Sequence, residues 1–146
     1  MMIRDANSSD IETLFAIRTS VVENHQSREE LADLGITPTA IAQMLQNDCH
    51  AWIAEQGTHA VGFAMANATE HMIFAMFVRP EFEGLGAGRR LMQHAEQWLQ
   101  AQGAQQIWLL TGNDPSLRAY GFYLHLGWRW VGVEPDGSAK FVRDLA

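Results

Sequence analysis

Between Arg79 and Met92 the chain reads RPEFEGLGAGRRLM, with glycines at 84, 86 and 88 followed at once by Arg89 and Arg90. Glycine costs conformational entropy, so three in five residues imply that something needs bare backbone there. An apolar run precedes the stretch and an amphipathic pattern follows it, which places the glycines at a strand-to-helix junction. The first turn of a helix has unpaired N–H groups and a partial positive charge, and it attracts anions. Glycines let a phosphate approach that backbone, and arginine suits phosphate geometry. The stretch therefore reads as a cradle for a pyrophosphate. It is not a P-loop, which requires Gly-Lys-Ser/Thr. In a dinucleotide fingerprint the third glycine would stand where Arg89 is. A glycine-rich turn that only eases helix–strand packing is the plainer alternative.

Other reactive residue types are scattered. His50, His59, His94 and His125 show no metal-ligand spacing with one another or with Cys49, so no metal is expected. The single cysteine excludes an internal disulfide and fits a reducing cytoplasm. With 146 residues the chain has enough length for one domain, spanning 1–146. Ten Lys+Arg against seventeen Asp+Glu give a formal charge of −7, which argues against nucleic acid as a partner and favours a cationic small molecule. No apolar run reaches the ~20 residues of a membrane helix, so no membrane partner is expected.

The elements that must hold these residues follow from periodicity. A first strand is expected over Met2–Ala6 and an amphipathic helix from Ile11 to Val22. A polar break then runs to Pro38, and a second helix covers Thr39–Gln46. CHAWIAEQ and AVGFAMANATE flank a turn and predict a hairpin. The run HMIFAMFV, His71 to Val78, is apolar at nearly every position, which predicts a strand buried on both faces. Gly88, Leu91, Met92, Ala95, Trp98 and Leu99 share one helix face, and that helix ends near Gly103. IWLLT is the next strand, and strand–helix–strand at this spacing predicts a parallel pair. A helix over Pro115–Leu126 and two last strands, WRWVGVE and AKFVRDL, complete a mixed α/β chain around one sheet.

Two blocks add a resemblance. V-R-P-E-F-E-G-L-G-A-G-R-R-L-M from Val78 resembles the acyl-CoA signature of the GNAT superfamily of N-acetyltransferases, Gln/Arg-x-x-Gly-x-Gly/Ala, here on Glu83, Gly86 and Gly88. S-L-R-A-Y-G-F-Y-L-H-L-G-W, Ser116 to Trp128, is similar to the family's later helix-and-turn motif, matching at Ala119, Phe122, Tyr123, Gly127 and Trp128. There are two departures. Glu83 stands in place of Gln or Arg, and Ser116 in place of a common Asn. The opening helix and the hairpin also look like the family's, so the resemblance spans nearly the whole chain.

The resemblance implies a mostly antiparallel sheet with a parallel pair of fourth and fifth strands that splay apart, flanked by helices. It implies acetyl-CoA as co-substrate and a primary amine as acceptor, either on a small cationic molecule or as an exposed amino group of a peptide. The pantetheine arm would pair with the fourth strand as an added strand does, through the backbone around Met76, Phe77 and Val78. The Met76 N–H would stabilise the thioester oxygen. Glu83, Gly84, Leu85, Gly86, Ala87, Gly88 and Arg89 would surround the pyrophosphate, with Ser116 and Ala119 contributing from the later helix. Tyr123 matches the family's acid, and a phenol of pKa about 10 is protonated at neutral pH. Tyr120 is its understudy. Met72–Phe77 holds no ionisable side chain that could be a base. Glu70 and His71 lie at the start of that strand. Glu23, His25, Glu29 and Glu30 lie in the segment that lines the acceptor site in relatives. Relatives also often dimerise, so a homodimer is among the implied assemblies. The rival classes are a non-catalytic acyl-CoA-binding module, an enzyme acting on aminoacyl-tRNA, and a dinucleotide binder.

Overall fold

The computed structural model describes residues 1–145. Seven strands form one sheet in the order β1-β2-β3-β4-β5-β7-β6. The strands are β1 (Met2–Asp5), β2 (Cys49–Gln56), β3 (His59–Asn67), β4 (Met72–Val78), β5 (Gln106–Thr111), β6 (Arg129–Val133) and β7 (Ala139–Asp144). The helices are α1 (Ile11–Arg18), α2 (Arg28–Asp33), α3 (Pro38–Gln46), α4 (Ala87–Ala101) and α5 (Arg118–His125). Short 3-10 turns stand at Ser8–Asp10 and Pro80–Phe82.

Alternation along the hairpin strands feeds two cores. Trp52, Ala54, Val61 and Ala64 pack with Leu91, Met92 and Leu99 of α4 on one face. Ala51, Ile53, Phe63 and Met65 pack with Ile11, Leu14, Phe15 and Ile17 of α1 on the other. Period-two strands sandwiched between helices give this partition directly. Beside α1, Arg4 grips Asp10 through two contacts of 2.9 and 2.8 Å and reaches Glu55 at 2.9 Å, which ties β1 to the turn before α1 and to β2.

The first helix is shorter than its periodicity predicts. It ends at Arg18, where the Thr19 hydroxyl donates to the Phe15 carbonyl (2.9 Å) and the Ser20 hydroxyl to that of Ile17 (2.6 Å). Such side-chain bonds compete with the helical ladder. Val21 and Val22 are therefore loop residues. The segment read as a polar break holds α2. Its cap was present in the sequence: the Ser27 hydroxyl accepts the Glu30 N–H, and the Glu30 carboxylate accepts the Ser27 N–H, a capping box. The helix expected from Pro115 starts later, at Arg118.

β4 pairs with β3 along its length, but meets β5 at a single parallel position, Met72 opposite Trp108. The register of β3 against β4 slips at the same place: Met65 faces Ala75 and Ala66 faces Ile73, so Phe74 is an extra residue. A bulge bends and twists its strand. Beyond it β4 leaves β5, and a cleft opens between them. The apolar run of β4 is consequently not buried on both faces, as its composition suggests. Ile73 alone is buried; the other six residues are partly exposed, and Phe74–Val78 line the cleft.

Candidate active site

The cleft has a volume of about 740 Å³. One wall is β4 from Ile73 to Val78, and the other is Leu109, Leu110 and Thr111 of β5 with Leu117, the N-cap of α5, and Arg118, Ala119, Phe122, Tyr123 and His125 of that helix. The glycine segment closes one end. The loop residues Val21, Val22, Glu23 and Asn24 also line it.

The glycine segment has local reasons for its composition. Gly84 and Gly86 adopt φ of 79° and 88°, which a side chain resists. Gly86 is the N-cap of α4 and supplies no capping side chain, so the first N–H groups of the helix stay open at the cleft. Gly88 is needed for a different reason. A Cβ there would meet Phe122 Cζ at 3.1 Å and Met76 Cε at 3.3 Å. Its absence lets α4, α5 and β4 converge at the cleft floor.

Tyr123 packs between Phe122, Trp128 and Phe141, with ring centroids 5.5, 6.1 and 6.1 Å away. The residue is 5% exposed, and burial raises its pKa above the ordinary phenol value. Among the described residues its hydroxyl has no hydrogen-bond partner. A protonated donor that lines a cleft unengaged is available to a ligand. Tyr120 packs edge-on against Phe141 at 5.1 Å and does not line the cleft.

Most of the residues expected from sequence come together here. Met76, Phe77, Val78, Glu83, Gly84, Gly86, Ala87, Gly88, Arg89, Ala119, Tyr123 and Glu23 all line the cleft. Leu85, Ser116, His25, Glu29, Glu30, Glu70 and His71 do not line it. Leu85 points to solvent at 55% exposure. The Ser116 hydroxyl and N–H both donate to Asp114 Oδ1, at 2.8 and 2.9 Å. His25 Nδ1 contacts the Val21 carbonyl at 2.9 Å, and Glu29 is exposed in the first turn of α2.

Sequence reasoning missed two polar cleft residues, Arg118 and His125. Arg118 forms an ion pair with Glu83 at 3.1 Å, and its backbone N–H donates to Glu23 Oε2 at 2.8 Å. Glu83 thus pairs with none of the arginines near it in sequence. Arg79 donates to the Ala60 carbonyl, Arg90 to that of Met1, and Arg89 Nη2 sits 3.4 Å from His125 Nε2. No ionisable side chain of β4 enters the cleft. Behind Phe77, the Arg18 guanidinium stacks at 4.3 Å and fixes that ring. Among the described residues no group of three or more His, Cys, Asp or Glu could hold a metal ion. No helix among them is long and apolar enough to cross a membrane.

The fold has known counterparts. The model of the acetyltransferase (GNAT) family matches residues 10–128, so the chain belongs to that family. Among solved structures, the PaiA N-acetyltransferase of Thermoplasma acidophilum in complex with coenzyme A superposes with a TM-score of 0.84 at 16% identity, over 99% of this chain and 98% of that one. A GNAT-family acetyltransferase of Staphylococcus aureus Mu50 gives 0.80 at 22% identity, covering 99% of each chain. The ribosomal-protein-S18-alanine N-acetyltransferase of Escherichia coli gives 0.76 at 15% identity, over 99% and 94%. A search of curated proteins gives no match.

Proposed function

We propose that this chain transfers an acetyl group from acetyl-CoA to a primary amine, by direct attack in a ternary complex. The observation that carries the reading is the cleft itself. It joins open backbone at a glycine-built helix start to a strand edge freed of its partner, with an unengaged phenol between them. The residues fit acetyl-CoA. Open N–H groups at Gly86–Arg89 suit a pyrophosphate, and the bare Gly88 leaves room beside Met76 and Phe122. The free edge of β4 suits the amides of a pantetheine arm.

The Met76 N–H supports the negative charge that grows on the thioester oxygen. Tyr123 donates its proton to the departing thiolate. Burial keeps that proton on the phenol until it is needed. No side chain of β4 serves as a base, so the neutral fraction of the amine reacts, with Glu23 drawing a cationic acceptor to the cleft mouth. The acceptor is a small cationic amine or an exposed amino group. The fold's relatives include an enzyme named for a protein alanine and a phosphinothricin acetyltransferase of Sinorhizobium meliloti, so protein and small-molecule acceptors both occur on it.

The test is thiol release from acetyl-CoA against polyamines, amino acids, aminoglycosides and short peptides. Turnover on one acceptor is expected. Its kcat/KM should rise about tenfold per pH unit below the pKa of the amine, because each unit raises the neutral fraction tenfold. A plateau near the carboxylate or imidazole range would show a side-chain base. Acetyl-CoA binding without turnover on any acceptor would favour a binding module instead.

A further inference from the structure

Glu83 stands where the family signature carries Gln or Arg, and the structure gives it a partner from the opposite wall. Its Oε2 lies 3.1 Å from Nε of Arg118. Glu83 belongs to the glycine segment leading into α4, and Arg118 opens α5. Both line the cleft. The Arg118 backbone is anchored separately by Glu23, at 2.8 Å, so its side chain can turn without moving the helix. The pair is loosely held, with side-chain exposures of 49% for Arg118 and 36% for Glu83. Ion pairs this exposed contribute at most about 1 kcal/mol. Glu83 holds a carboxylate beside the open helix start of α4, where Arg89 and Arg118 also line the cleft. A pyrophosphate arriving there meets repulsion from Glu83 unless that carboxylate yields.

We propose that Arg118 is a phosphate-binding residue of the cofactor site, and that Glu83 occupies it while the site is empty. The inference rests on the acetyl-CoA reading above. A guanidinium presents a planar fork of donors that binds a pyrophosphate more strongly than it binds a single exposed carboxylate. The pyrophosphate displaces Glu83, Arg118 turns onto it, and the freed carboxylate swings to solvent. Until then Glu83 keeps the fork aimed into the cleft. The exchange makes cofactor affinity depend on two residues jointly, which neither charge alone would do.

A double-mutant cycle on acetyl-CoA affinity tests this, using wild type, Glu83→Gln, Arg118→Gln and the double variant, each checked by thermal melting. Glu83→Gln should tighten binding up to about fivefold, by removing the competitor. Arg118→Gln should weaken it about tenfold or more, as expected for losing a charged donor. In the Arg118→Gln background, Glu83→Gln should change affinity less than about twofold, because no contested arginine remains. A full gain in that background would mean simple repulsion between Glu83 and phosphate, and would overturn the proposal. Arg118→Gln binding as tightly as wild type would also overturn it. Wild type failing to bind acetyl-CoA at all would instead overturn the cofactor reading on which the proposal rests.

Discussion

Tyr123 carries two separable properties, a ring fixed by its neighbours and a hydroxyl without a partner. Removing only the hydroxyl should therefore spare the fold. Tyr123→Phe is expected to lower kcat at least about a hundredfold, the usual scale for a positioned acid. Acetyl-CoA affinity and melting temperature should stay close to wild type. Unchanged kcat would move the acid role to water. The sequence made such residues legible where a motif fixes them: the glycines, Met76 and Tyr123 follow from local pattern and resemblance. Arg118 and His125 were not legible. Nothing in their spacing announces the cleft, because α5 reaches it only through packing of Tyr123 and Phe122 against β7 and α4. Glu83 shows the same limit. Its nearest arginines in sequence are turned elsewhere, and its partner is 35 positions away.

At the scale of elements, the junction of β4 and α4 is the part the sequence described best, since glycines and helical periodicity are local signals. The structure adds why Gly88 matters beyond flexibility. Gly88→Ala would put a methyl group against Phe122 and Met76 at 3.1 and 3.3 Å, and both of these side chains line the cleft. Acetyl-CoA affinity should fall about tenfold, within the range of overpacking costs, with a smaller effect on melting. Titration of the variant with acetyl-CoA checks this. The bulge at Phe74 was invisible beforehand, because an apolar run looks the same whether a strand stays in its sheet or bends out of it. The end of α1 was likewise hidden. Hydrophobic spacing continues through Val21 and Val22, while the hydroxyls of Thr19 and Ser20 stop the helix. By contrast, Ser27 and Glu30 announced α2 at capping-box spacing, and the polarity of the segment obscured it.

For the whole molecule, burial of two weak acids sets the alkaline limit of stability. The Cys49 thiol is 4% exposed, and burial, helped by Asp48, pushes it up to about 12 from an ordinary 9.0. Tyr123 is raised in the same direction from 10.0. Above these ordinary values the unfolded chain has released protons that the folded chain still holds, so stability falls as pH rises. Melting temperature should decline from about pH 9, with Cys49→Ala removing the first part of the decline and Tyr123→Phe the part above pH 10. Identical slopes in all three proteins would exclude both groups.

The single ladder pair between β4 and β5, Met72 with Trp108, has a consequence for how the molecule moves. The seven strands are two smaller sheets, β1 to β4 and β5-β7-β6, joined edge to edge at one residue pair. Within the interior lie two stretches of strand edge, Phe74–Val78 and Leu109–Thr111, whose facing amides have no partner across the gap. In the empty protein those amides should exchange with deuterium far sooner than amides in the β2–β3 ladder. A bound guest that bridges the gap should slow them together, on both halves at once. Its binding energy then adds cohesion between two parts of a sheet whose ladders otherwise share a single pair.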